Sequence, residues 1–211
     1  MGQYYIIANV DKKEFLHPHN YGCGMKLTEW SYQGNDLVNA MLNLMKNRWK
    51  GDRVFVVGDY ADLTDYDGDS KNWHDTYADL VKEFGLFDGD YEGHPDAYSL
   101  FSYAECMFKH LSKSKTGAKK TSARYLYNHA TKQIVDLSEC PKNNYDYTFS
   151  PISLLLAMGN GRGGGDYHED LPSYGLIGAW VSTSQHIEVT DKPLDGCDDY
   201  EKFAPGFIEN F

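Results

Sequence analysis

Two tracts of this chain follow the same grammar. YYIIANVDKKEFL, spanning Tyr4 to Leu16, sets an aromatic and aliphatic run before Asn9, then a short polar turn, then Lys13 ahead of a second apolar run. RYLYNHATKQIVDL, from Arg124, repeats that order around Asn128 and Lys132. β-Branched and aromatic runs separated by a short turn predict a β-hairpin in each case. Helix-like text follows both. LVNAMLN aligns with LLLAMGN, matching Leu37 with Leu154, Ala40 with Ala157, Met41 with Met158 and Asn43 with Asn160. A tryptophan then leads into a strand, Trp49 before RVFVV and Trp180 before HIEV. An order of hairpin, helix, tryptophan and strand that occurs twice predicts an α+β fold. Its expected form is two related β-hairpin–helix–strand units packed as one pseudo-symmetric body with a helical middle segment. About sixty residues make a thin core alone, so the units are expected to pack together.

The expected boundaries follow from local signals. Residues 1–66 form the first unit. In it Asn35 and Asp36 start a helix whose apolar face is Leu37, Val38, Met41, Leu42, Met45 and Trp49, with Gly51 as its end. Arg53 to Val57 reads as a central strand, because it is apolar on consecutive positions. Residues 67–112 form the helical middle segment. Trp73, Tyr77, Leu80, Val81 and Phe84 mark one helix stopped by Gly85, and Leu100, Tyr103, Ala104, Met107, Phe108 and Leu111 mark another. From Lys109 to Arg124, six of the twenty Lys and Arg residues fall within sixteen positions. That composition predicts an exposed, poorly ordered stretch, with a basic flexible connector at 113–123; a phosphate-binding strip is the sharper alternative. Residues 124–211 form the second unit, with a Gly-rich insertion and an acidic C-terminal tail.

The insertion is GNGRGGGDYHED, Gly159 to Asp170. By the alignment above it lengthens the interval between Met158 and Trp180 relative to that between Met41 and Trp49, where the first unit simply continues its helix. Loops inserted on a repeated scaffold are where function tends to sit. Each ordered glycine costs roughly 0.5–1 kcal/mol relative to alanine, so an ordered loop of this type needs a compensating gain. The expected ligand-binding residues are Asn160, Arg162, Gly163, Gly164, Gly165, Asp166, Tyr167 and His168. Backbone N–H groups free of Cβ can converge on an anion, and Arg162 can grip phosphate or carboxylate in two places. No GK[ST] follows, and the run lies after helix-like text and not between a strand and a helix, so neither a Walker A loop nor a dinucleotide fingerprint is expected. The architectural alternative is a hairpin tip or bulged strand entry.

Other motifs carry less. DYDGD, at Asp65 to Asp69, fails the EF-hand pattern, which would need glycine and glutamate where Ser70 and Thr76 stand. HPHNYGC brings His17, His19 and Cys23 close in sequence, at a spacing that fits no standard zinc site. His168 beside Glu169 and Asp170 is weak support for a polarised base, and no catalytic residue is assigned. No cofactor or metal is expected.

Net charge is −11, and Tyr supplies 17 residues. An acidic field repels nucleic acid and anionic membranes and favours basic partners, while tyrosines suit half-buried interaction surfaces. The expected function is therefore a non-catalytic intracellular binding protein, an inhibitor or immunity-type partner of a basic macromolecule. The alternative is an enzyme or sensor that holds a phosphorylated small molecule or nucleotide at 159–170. Which of the two applies turns on a simple observable: a flat acidic face with exposed tyrosine favours the first, and a deep pocket with converging amides favours the second. The start, MGQYYIIANVDKKEF, has too short an apolar run for a signal peptide, and Ile6 departs from the myristoylation pattern. A cytoplasmic location is expected.

Overall fold

The computed structural model describes residues 2–61, 71–86, 99–116, 120–142, 145–159 and 176–203. In chain order the elements are β1 (Tyr5–Asn9), β2 (Glu14–Leu16), α1 (Leu27–Trp30), α2 (Asp36–Lys46), β3 (Val54–Gly58), α3 (His74–Phe84), α4 (Leu100–Met107), β4 (Lys109–His110) and α5 (Lys113–Thr116). They continue as β5 (Tyr125–Asn128), β6 (Gln133–Asp136), α6 (Pro151–Leu155), β7 (Ala157–Met158), β8 (Ile187–Thr190) and β9 (Glu201–Lys202). The architecture is α+β, with two sheets ordered β4-β2-β1-β3-β7 and β8-β5-β6-β9. Among the described residues no helix is long and apolar enough to cross a membrane.

Both hairpins are closed by the same local chemistry. The Asn9 side chain accepts a hydrogen bond from Lys12 N (2.9 Å), and the Asn128 side chain accepts from Ala130 N (3.1 Å) and Thr131 N (3.3 Å). Lys13 and Lys132 then take left-handed backbone, at φ 51° and 52°. The other end of each asparagine amide ties the turn to the segment before the third strand, at Asp52 and at Thr183. Each first strand lies antiparallel between its hairpin partner and that third strand: β1 between β2 and β3, β5 between β6 and β8. A short parallel strand covers the far edge in each sheet, β4 on β2 and β9 on β6.

The tryptophans behave alike. Trp49 is buried and donates from Nε1 to Glu14 Oε2 (3.0 Å); Trp180 is buried and donates from Nε1 to Gln133 Oε1 (2.8 Å). Each indole therefore bolts the approach to the third strand onto the first residue of the second strand. Alternation along the strands then sorts the core. Ile7, Leu16, Leu126, Val135, Ile187 and Val189 meet α2 and α6 in one cluster shared by the two sheets. Ile6, Ala8, Phe15, Phe55 and Val57 face the other way and are covered by α3 and α4 in a second cluster. Helix α2 starts as its sequence predicts, with Asn35 Oδ1 accepting from Leu37 N (2.8 Å).

Three expectations need correction. The helix from Leu100 stops at Met107, because Lys109 N and Leu111 N bond to Lys13 O and Phe15 O on the open edge of β2. The basic stretch therefore begins in ordered structure: Lys109 and His110 are exposed but held on that edge, Leu111 is buried, and α5 is tied down by Lys113 to Asp36 and by Thr116 to Tyr21. Helix α6 ends at Leu155, and Ala157–Met158 pairs with Val56–Val57 as a strand. The alignment of Met41 with Met158 thus joins a helical position to an extended one. An apolar run does not distinguish the two states, and the vacant edge of β3 decides the outcome by offering backbone partners.

Candidate functional site

The parallel pairings give β2, β3, β4 and β7 one direction and β1 the other. Four carboxyl ends and the start of β1 therefore share one edge of the first sheet. His17 follows β2, Asp59 follows β3, His110 ends β4 and Gly159 follows β7, while Gln3 and Tyr4 precede β1. The Gly-rich insertion starts from this edge. All eight of its expected binding residues, Asn160 to His168, lie outside the described residues, as does the DYDGD motif. Their point of departure is well defined. Gln3 is fully buried and accepts a hydrogen bond from Tyr5 Oη (2.7 Å). A Cβ on Gly159 would stand 2.7 Å from Tyr5 Oη and 2.8 Å from Gln3 Oε1, and one on Gly58 would stand 2.2 Å from Gln3 Nε2. Both glycines are there because Gln3 occupies the space a side chain would need.

Beside this anchor lies a group of titratable side chains drawn from four segments: the turn after β2, α4, β4 and the end of β3. His17 Nδ1 accepts from the backbone N–H of His19 (3.3 Å), which puts the ring proton on Nε2, 3.3 Å from Glu105 Oε1 on α4. The His17 ring lies 4.9 Å from that of His19 and 6.4 Å from that of His110. Asn20 Nδ2 meets His110 Nε2 at 2.5 Å. Asp59 Oδ1 accepts from Tyr4 N (2.9 Å). Burial raises the Glu105 carboxyl above its ordinary value, and the negative charge of Asp59 adds to that. Burial also raises Asp59, against the opposing hydrogen bonds from backbone N–H groups. His17 is held low, first by burial and then by the charges of His19 and His110.

The sign of the Glu105 shift gives a test. A carboxyl raised in the folded state favours folding while protonated; that contribution is complete below the ordinary carboxylate range and is lost as pH rises through the raised value. Glu105→Gln keeps an acceptor for His17 and removes the charge. The variant is expected to melt above the parent at pH 7 and level with it at pH 3.5. Thermal unfolding across that range checks this, and a difference that does not vary with pH would mean that burial leaves this carboxyl unstressed.

Chemically, His17 is not placed to act as a general base. A general base needs a free lone pair facing substrate, and both His17 nitrogens are already engaged. Among the described residues no set of three His, Cys, Asp or Glu side chains is arranged to hold a metal. Of the HPHNYGC motif, His17 and His19 meet here, whereas Cys23 turns away to Asn35, whose Nδ2 lies 3.3 Å from its sulfur. Nothing local in the sequence marks Glu105, His110 or Asp59: helical periodicity runs through Glu105 to Leu111, and only the packing of α4 and the pairing of β4 bring these residues to the edge. Tyr4 and Tyr60 flank Asp59 and are 45% and 37% exposed. No protein-family model matches this chain, and no curated protein or solved structure matches it.

Proposed function

We propose that this chain is a non-catalytic binding protein, an inhibitor or immunity-type partner of a basic macromolecule, and that it docks through the carboxyl edge of the first sheet. The observation that carries this reading is the meeting of two carboxylates, Asp59 and Glu105, with two exposed tyrosines, Tyr4 and Tyr60. Acidic groups already partly stripped of water gain most from an arriving Lys or Arg, because part of their desolvation cost is met in the free protein. Exposed tyrosines supply contact area at small entropic cost. The overall charge of −11 would speed encounter with a cationic partner.

We further propose that the scaffold arose by duplication. Asn9 and Asn128, Lys13 and Lys132, Glu14 and Gln133, and Trp49 and Trp180 play matching parts, and the strand orders β2-β1-β3 and β6-β5-β8 agree. A second functional reading, a phosphorylated small molecule at the Gly-rich segment, draws support from where that segment starts. Ligands of α/β sheets gather outside the carboxyl ends of parallel strands, and β3 and β7 are such a pair.

One experiment addresses both readings. A photo-reactive residue at Tyr60, expressed in the native host, is followed by native mass spectrometry of the purified chain. The expected product is an adduct with a basic protein, reduced at least tenfold in an Asp59→Lys, Glu105→Lys variant that still folds. An adduct insensitive to charge reversal, or none, would remove the proposal. A co-purifying phosphorylated small molecule in place of a protein would establish the second reading instead.

A further inference from the structure

The two sheets differ in what covers their outer faces. The positions three and one residues before each turn asparagine point outward. On the first sheet these are Ile6 and Ala8, which α3 and α4 bury together with Trp73, Tyr77, Leu100 and Phe101. On the second sheet they are Tyr125 and Tyr127, and the link from β8 to β9 spans only residues 191–200, too short for a helical layer. Among the described residues, what remains above the second sheet is a cavity of about 500 Å³. That is the size of a small-molecule site.

Its walls are aromatic and its polar groups are specific. Tyr125, Tyr127 and Tyr200 line it along with Ile134, Leu194 and Phe203. The Tyr127 ring stands 6.2 Å from Tyr125 and 6.0 Å from Tyr200. Two of the three hydroxyls are pinned: Tyr127 Oη accepts from Leu194 N (3.0 Å), and Tyr200 Oη meets His129 Nδ1 (2.9 Å). The third is not. Tyr125 is 9% exposed, and its hydroxyl has no protein hydrogen-bond partner among the described residues. The charges are also nearly settled. Arg124 is paired with Asp136, and Lys202 stands 3.7 Å from Glu139. Asp198, on the same wall, forms no ion pair with another described residue. The site thus presents π-faces, one spare hydroxyl and one surplus negative charge.

We propose that this cavity binds an organic cation with an aromatic body, its ammonium directed to Asp198 and its ring seated against Tyr125 and Tyr127. Aromatic faces attract cations through their quadrupole, and an uncompensated carboxylate selects the same charge. Arg124 already sits over Tyr125, 5.0 Å from the ring centroid, so this ring accepts a cation on one of its faces in the free protein. The site is separate from the carboxyl edge of the first sheet, and neither proposal depends on the other.

Calorimetry on the full chain with tryptamine, indole and 3-indolepropionate tests it. The expected order is tryptamine tightest and the propionate weakest, separated by at least tenfold. Asp198→Asn is expected to bring tryptamine to within about twofold of indole and to leave indole unchanged. Ile134→Trp, which fills the cavity from β6, is expected to abolish binding of all three while circular dichroism shows an intact fold. No heat from any probe at millimolar concentration would overturn the proposal. So would tightest binding by the propionate, or a cation preference that survives in Asp198→Asn.

Discussion

Gly178→Ala is expected to lower stability by about 2–5 kcal/mol, which for a chain of this size is a fall in melting temperature of roughly 4–20 °C. Two costs add. Gly178 sits at φ 71°, left-handed backbone that costs an L side chain about 1–2 kcal/mol. A Cβ there would also stand 2.8 Å from Ala157 O and 3.0 Å from Trp73 Cδ1, and overpacking of this type costs typically about 1–3 kcal/mol. The backbone has little freedom to move aside. Gly178 N donates to Leu154 O, Trp180 N to Leu155 O and Val181 N to Gly178 O, each at 2.9 Å. Gly51→Ala separates the two costs, since Gly51 has φ 78° with nothing within 4 Å of its would-be Cβ. Urea unfolding of both variants is the measurement. Equal losses would mean that Ala157 and Trp73 yield without cost.

Gly178 also shows where sequence reasoning reaches its limit. The notable glycines of the sequence are those of 159–170, yet among the described glycines the one whose conformation and surroundings both require glycine is an isolated residue shortly before Trp180. Nothing local marks it. Its need arises from β7 and Trp73, which come from distant parts of the chain. The same reason explains what was and was not legible elsewhere. Both hairpins, α2, α3, β3 and β8 carry their own signals, in the form of turn asparagines, a capping Asn35, a terminating Gly85 and apolar periodicity. The two-residue strands β4, β7 and β9 carry none, because each exists only where a finished edge supplies its hydrogen bonds. LFSYAECMFKHL keeps helical period through Leu111, and the edge of β2 overrides it.

The candidate sites follow this division. His17 and His19 stand together in the sequence and in space, but Glu105 and Asp59 join them only through the packing of α4 and the order of the sheet. The cavity above the second sheet was hidden more thoroughly. Alternation places Tyr125 and Tyr127 on one face, yet it takes the full topology to see that this face, unlike its counterpart on the first sheet, has no helices over it among the described residues.

The tryptophan pair gives the other large expected effect and tests the proposed duplication. Trp49→Ala and Trp180→Ala are each expected to cost about 3–5 kcal/mol, the usual result of emptying a buried indole site. Against a typical total of about 5–15 kcal/mol, either loss removes a large share of the stability. The two should agree to within about 1 kcal/mol if the indoles hold equivalent positions. Replacement by Phe keeps most of the ring packing and so isolates the hydrogen-bond part of each loss, which differs because the acceptors differ in charge. Trp49 donates to Glu14, a carboxylate only 4% exposed that is also bound by Arg48, and losing a hydrogen bond to a charged group costs about 1.5–3 kcal/mol. Trp180 donates to Gln133, a neutral amide that also accepts from Thr131 Oγ1, so the loss there should be nearer 0.5–1.5 kcal/mol. Trp49→Phe is therefore expected to be the more harmful by about 1 kcal/mol. Glu14→Gln, made in the parent and in the Trp49→Phe background, should reduce the cost of the phenylalanine substitution to that of Trp180→Phe. A Trp180→Ala variant that loses less than about 1 kcal/mol would show that only the first indole bolts its hairpin, and the duplicated scaffold would then be a likeness of outline alone.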